Sequence, residues 1–162
     1  MRLTHRPVAE QDLAAICAFT QSAAELFYCF PKADFPLTPE QLQAAIDQRS
    51  DSTVVLLEGA VVAFANFYRW ETGGVCAIGN VMVAPAARSR GVARYLIEQM
   101  LDTAFTRHQA CEVQVSCFNP NVAGLLLYPQ LGFLPCGVEE RAGKGGERLA
   151  LIHFRLASPA CR

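Results

Sequence analysis

The sequence lacks any run of about 20 apolar residues, the length a helix needs to cross a bilayer. Behind Met1-Arg2-Leu3-Thr4-His5-Arg6 no apolar signal-peptide core follows. The expectation is a cytoplasmic protein with no membrane partner. Excess positive charge is missing too. The 14 Lys and Arg stand against 15 Asp and Glu, a net charge of −1. Nucleic-acid binders normally carry a basic surplus, so no nucleic-acid partner is expected. Cys-x-x-Cys spacing is absent, and with it the usual metal signatures; no metal is expected. Seven cysteines stand apart at 17, 29, 76, 111, 117, 136 and 161. Their odd number and the length of the chain argue against a disulfide framework, and most read as small core residues. Gly-x-x-x-x-Gly-Lys-Ser/Thr does not occur, which argues against a P-loop nucleotidase. Nothing repeats, and no linker divides the chain.

What is present is enough to build a core. Apolar residues make up 52% of 162 residues. The length suits a single domain, 1–162, with its core at about 2–156. Residues 2–6 read as a strand. Glu10 to Ala24 has helical spacing through Leu13, Ile16 and Cys17. From Glu25 to Leu37 the chain turns aromatic and irregular, with Phe27, Tyr28, Phe30 and Phe35 among prolines. Thr38-Pro39-Glu40-Gln41 signals a helix start that runs to about Arg49. Thr53 to Leu57 and Val61 to Trp70 form a hairpin about Glu58-Gly59, and Val75 to Val83 adds a third strand. Ser89 to Arg107 is a long amphipathic helix. Glu112 to Cys117 is a strand, Asn121 to Leu131 a short helix, and Phe133 to Glu140 and Arg148 to Leu156 the last two strands. The order β-α-α-β-β-β-α-β-α-β-β predicts an α+β domain, a mixed sheet flanked by helices.

One stretch carries chemistry. The apolar Val81-Met82-Val83 ends at Pro85, a basic loop follows, and a helix begins near Val92. Unpaired N–H groups at a helix start form an anion site, and Gly91 permits close approach. Arg88 and Arg90 add charge, so a phosphate or pyrophosphate ligand is expected. The bland alternative is a basic loop that merely caps a helix.

Arg88-Ser89-Arg90-Gly91-Val92-Ala93 resembles the Arg/Gln-x-x-Gly-x-Gly/Ala motif of the GNAT superfamily of acetyl-CoA-dependent N-acetyltransferases. Asn121-Val122-Ala123-Gly124-Leu125-Leu126-Leu127-Tyr128, followed by Gly132-Phe133, is similar to that family's second motif, with Gly124 where Ala is usual. The resemblance covers residues 2–156. It implies a mostly antiparallel GNAT-like sheet and acetyl-CoA as cosubstrate. It gives the pyrophosphate to the backbone from Arg88 to Ala93 and the pantetheine to the freed backbone of Val81, Met82 and Val83, with Asn121 either binding the pantetheine or capping the start of its helix. One strand amide would also stabilise the developing oxyanion.

The resemblance assigns Tyr128 to hydrogen-bond or protonate the leaving thiolate, against the alternative of a half-buried aromatic with a satisfied hydroxyl. A phenol at about pKa 10 is suited to a thiol at about 8.5. The amine, near 10.4 unperturbed, needs a base; Glu25 and Glu71 are candidates. Phe27, Tyr28, Phe30 and Phe35 are either core or walls of the acceptor pocket, and as walls they favour an uncharged or partly apolar acceptor body. The acceptor itself could be a small amine, an amino acid or a protein amine. Pro129 biases Tyr128 away from helical geometry and points to a helix end there. Cys117 and His153 read as structural. The final strand is a candidate to pair across a homodimer. A non-catalytic acyl-CoA sensor is the competing function, and a nucleotide-binding module a distant third.

Overall fold

The computed structural model describes residues 1–161. Its strands are β1 (Leu3–Pro7), β2 (Ser50–Leu57), β3 (Ala60–Trp70), β4 (Val75–Val83), β5 (Glu112–Phe118), β6 (Leu134–Ala142) and β7 (Arg148–Ala157). Its helices are α1 (Leu13–Cys17), α2 (Ala23–Cys29), α3 (Pro39–Gln48), α4 (Val92–Asp102) and α5 (Val122–Gln130). One seven-stranded sheet runs β1-β2-β3-β4-β5-β7-β6. Every pairing is antiparallel except β4 with β5. This is the mixed, mostly antiparallel α+β architecture expected from the element order.

Apolar periodicity explains the layers. On one face α4 inserts Leu96, Ile97 and Met100, all fully buried, against Phe67, Val113, Val115 and Phe133. The i, i+1, i+4 spacing puts all three on one side of the helix. On the other face Leu13, Ile16, Leu26 and Leu42, from α1, α2 and α3, pack on Val54, Phe64 and Met82. Alternate strand residues serve opposite faces, so Phe64 and Phe67 lie in different cores.

Four expectations need correction. The continuous helix over Glu10 to Ala24 is broken. A 3-10 turn, Glu10–Asp12, leads into α1, and extended Ser22 starts α2, its side chain accepting from the Glu25 amide at 3.1 Å. The alanine-rich pattern hid this second cap, and α2 carries the helix on to Cys29, into the aromatic segment. Pro129 does not end α5 at Tyr128; the helix continues to Gln130. Proline in a last turn forfeits one backbone bond. The Leu131 amide there reaches both the Leu127 and Tyr128 carbonyls at 3.1 Å.

The cysteine reading also changes: Cys111 and Cys161 form a disulfide. Antiparallel pairing of β5 with β7 brings the start of one beside the end of the other, with Glu112 opposite Ala157. Cys76 and Cys117 are buried as expected, while Cys136 is exposed. Finally, β7 lies between β5 and β6 and has no free edge, so it cannot pair across a dimer.

The feature that creates the site is where pairing stops. β4 and β5 match only from Val75–Glu112 to Ile78–Val115. Beyond Ile78 the strands part. Just there β4 carries an extra residue against β3: Gly79 pairs with Asn66 and Met82 with Phe64. Asn80 sits in the bulge with φ +49°, a left-handed conformation that asparagine tolerates better than most residues.

Candidate active site

A cavity of about 1020 Å³ opens where β4 and β5 separate. Gly79 to Val83 form one wall, and Val115, Ser116 and Phe118 the other. At its far end stand Ser89, Gly91, Val92 and Ala93, where α4 begins. Gly91 caps that helix at φ +80°, and Ser89 has φ +61°. The first intrahelical bond runs from the Tyr95 amide to the Gly91 carbonyl, 3.1 Å. Amides earlier in the turn have no acceptor within the helix, as an anion site requires.

The loop arginines behave differently from one another. The Arg88 guanidinium turns onto the wall, donating to the Val83 carbonyl (3.2 Å), the Phe19 carbonyl (3.3 Å) and Glu25 (3.2 Å). Arg90 is exposed and does not line the cavity.

Asn121 caps α5, its Oδ1 accepting from the Gly124 amide at 3.1 Å, and it lines the cavity. Gly124 has a physical reason. A Cβ there would come within 2.8 Å of Cys117 Sγ and 2.9 Å of Asn121 Nδ2. Tyr128 is 4% exposed, its ring packed on Phe133 and Phe154. Among the described residues its hydroxyl has no hydrogen-bond partner, and the residue lines the cavity. Burial, then the neighbouring Cys117, pushes its pKa above the ordinary phenol value, so it stays protonated. Burial also pushes the Cys117 thiol up to about 11, which suits a structural residue rather than a nucleophile.

Among the acceptor candidates, Glu25, Tyr28 and Phe30 line the cavity, whereas Phe27, Phe35 and Glu71 do not. Phe27 packs on Phe118 with ring centroids 5.2 Å apart. Phe35 is 45% exposed. Glu71 lies exposed in the β3–β4 turn, 2.7 Å from Arg69 and accepting from the Val75 amide. Glu25 accepts from the Gln21 amide and from Arg88, and these bonds hold its carboxyl below the usual range.

Two groupings escaped the sequence reading. Ser116 Oγ lies 2.6 Å from His153 Nδ1, and His153 Nε2 lies 2.9 Å from Glu139 Oε1. A carboxylate only accepts, so Nε2 donates to Glu139, and in the neutral ring Nδ1 is then the acceptor for the serine hydroxyl. The three stand on adjacent strands, with His153 opposite both Ser116 and Gly137. They lead from the cavity to the sheet edge at β6. The second grouping is a chain of amides. Arg49 donates to Asn66 (3.1 Å), Asn66 to Asn80 (3.0 Å), and Asn80 to the Cys29 carbonyl (3.0 Å). The one local clue to it was polar Asn66 and Gly79-Asn80 inside β-rich runs.

Residues 16–133 match the Acetyltransferase (GNAT) family. The chain belongs to that family. This GNAT protein is thereby an acyltransferase. Its fold also matches solved GNAT-type structures. Spermidine N-acetyltransferase from Vibrio cholerae, solved with CoA and spermine, is 18% identical with a TM-score of 0.81, over 96% of this chain and 95% of that one. Ribosomal-protein-alanine N-acetyltransferase from Brucella melitensis is 22% identical with a TM-score of 0.77, over 96% and 99%. A Salmonella typhimurium chain solved with its cofactor acetyl-CoA is 20% identical with a TM-score of 0.75, over 97% and 94%. Likeness at such identities carries the fold. No curated protein matches the sequence. Among the described residues of this GNAT chain, no cluster of three or more His, Cys, Asp or Glu could hold a metal ion. No helix there is long and apolar enough to cross a membrane.

Proposed function

We propose that the protein transfers an acetyl group from acetyl-CoA to a primary amine by direct attack within a ternary complex. The observation that carries this reading is the parting of β4 from β5 beside the unpartnered Tyr128 hydroxyl. The freed edge at Val81, Met82 and Val83 suits the pantetheine amides, as in strand addition. The turn from Arg88 through Ser89, Arg90, Gly91 and Val92 to Ala93 suits the pyrophosphate, with Arg88 stiffening the wall and Arg90 contributing field from outside. Asn121 orders the start of α5. Bound there, acetyl-CoA supplies a thioester carbonyl open to attack.

The amine must arrive neutral. Its nitrogen forms the new C–N bond, the C–S bond breaks, and the sulfur leaves with the electron pair. Tyr128 donates its phenolic proton to that sulfur. The nitrogen's surplus proton passes to the Ser116 hydroxyl as that hydroxyl's own proton moves to His153 Nδ1. The imidazolium so formed is stabilised by exposed Glu139, which Arg141 also holds ionised, and gives up its proton to water. Ser116 stands next to the last β4–β5 pair, which puts this line at the fork itself.

The test is release of free thiol from acetyl-CoA across a panel of amines. Amine-dependent release is expected, and Tyr128→Phe should lower kcat about 100-fold with CoA affinity unchanged. Tight CoA binding with no thiol released for any amine would leave an acyl-CoA sensor instead.

A further inference from the structure

The charges lining the cavity are one-sided. Lys32, Arg49, Arg88, Arg94 and Arg141 line it, against Glu25 as its one acid among the described residues. Arg88 is paired with Glu25, Arg94 with Glu98 and Arg141 with Glu139, so that Lys32 and Arg49 are the lining cations without an acid among the described residues. Arg88 and Arg94 stand at the α4 end, where a pyrophosphate would lie. Arg49 stands at the opposite end. A Cβ on Gly79 would come within 2.7 Å of its Nη1, so the guanidinium lies directly over the strand at the fork. Arg49 stacks on Tyr68, 5.5 Å from the ring centroid, and donates to neutral Asn66. It makes no ion pair with any described acid, and burial lowers its affinity for its proton. A half-buried cation without a counter-ion at the reacting end of a cavity calls for an anionic ligand group.

We infer that Arg49 is the anchor for a carboxylate on the acceptor, so that the substrate is a small amino-acid-like amine rather than a polyamine. This rests on the acetyl-transfer reading above. The guanidinium fork fits a carboxylate with two parallel bonds. The Asn66–Asn80 chain and the Tyr68 ring fix its direction, and Gly79 leaves the room it needs. Tyr28 and Phe30 supply an apolar wall for the rest of the acceptor. The positive field has a second effect. It disfavours an ammonium ion beside it, lowering the amine's pKa toward the neutral form that attacks. A polycation such as spermine meets the same field as repulsion. The aromatic segment alone suggested an uncharged or partly apolar acceptor body; Arg49, just past the end of α3, and Lys32, in the α2–α3 loop, alter that expectation.

Two readouts test it. Calorimetry compares N-acetylleucine with N-(3-methylbutyl)acetamide, which differ by the carboxylate, on the CoA-bound protein. Kinetics compare leucine with 3-methylbutylamine, and include spermine. The carboxylate-bearing member should bind at least tenfold tighter and react at least tenfold better in kcat/KM. Arg49→Gln should erase both differences, and Arg49→Lys should keep part of them. Circular dichroism and CoA binding check that each variant folds. Equal binding of the two amides, an equal loss for both in Arg49→Gln, or spermine as the best acceptor would overturn the subsite. Amide discrimination without any thiol release would leave the subsite standing and sink acetyl transfer. Thiol release without discrimination would do the reverse.

Discussion

Tyr128 holds its proton more firmly than a free phenol because the phenolate would be buried beside Cys117. That suits an acid whose proton must be in place before the sulfur leaves. On the amine side, no single carboxylate at the fork is free to act. Glu25 is engaged by Arg88 and the Gln21 amide, and Glu71 is spent in its own turn. The Ser116–His153–Glu139 line is therefore the base path that residue geometry favours. His153→Gln cuts it in the middle while keeping a polar side chain of similar reach. We expect kcat to fall about 100-fold near neutral pH. The deficit should shrink as pH rises, because more of the amine then arrives already neutral. A wild-type pH–rate profile in this variant would assign the line a structural role.

At the scale of elements, the first helix is tied to the sheet by one polar clamp. Asp12 is 3% exposed and accepts from Arg6 at 2.7 and 3.0 Å and from the Ala9 amide at 2.8 Å. The Arg6 bonds and the Ala9 bond hold its carboxyl below its ordinary 3.8, against the opposing effect of burial. A lowered folded pKa means that the stabilisation is complete above 3.8 and is lost as the pH falls through the lower folded value. Asp12→Asn should cost about 1–3 kcal/mol at neutral pH and flatten that part of the acid dependence, as read from urea melts between pH 2 and 7. An unchanged acid limb would mean that the clamp contributes nothing. The strands and α3, α4 and α5 were legible because each carries its own period, cap or turn; Thr38 caps α3 by accepting from Gln41 at 3.3 Å, as its motif implies. The turn that opens α4 at Gly91 and the Asn121 cap of α5 were legible for the same local reason. Arg49, Ser116 and His153 were not, since each acquires its meaning from a partner on another strand. The Asn80 bulge that aligns the first of these is a register property, invisible in one strand's sequence.

The whole molecule is two half-sheets, β1 to β4 and β5 with β7 and β6, joined through four β4–β5 residue pairs. Beyond Ile78 the strand edges face an open wedge; α4 and α5 belong to the core on one face, and on the other α2 touches both halves, through Phe27 on Phe118 and the Cys29 carbonyl on Asn80. A ligand that pairs with the β4 edge and also touches α4 and α5 completes the join. CoA should therefore stabilise the molecule as a unit rather than one loop. At 100 times its dissociation constant the gain should be about 2.7 kcal/mol, seen as a rise in Tm. ATP shares the phosphates but lacks pantetheine, so it can occupy the α4 turn without reaching the wedge. Hydrogen exchange separates the two cases. With CoA, protection should spread over amides 79–83 and the first turn of α5, as well as the first turn of α4. With ATP it should stop at α4. Equal Tm shifts and equal protection from both ligands would show that the wedge is not the pantetheine site and that the phosphate turn alone accounts for binding.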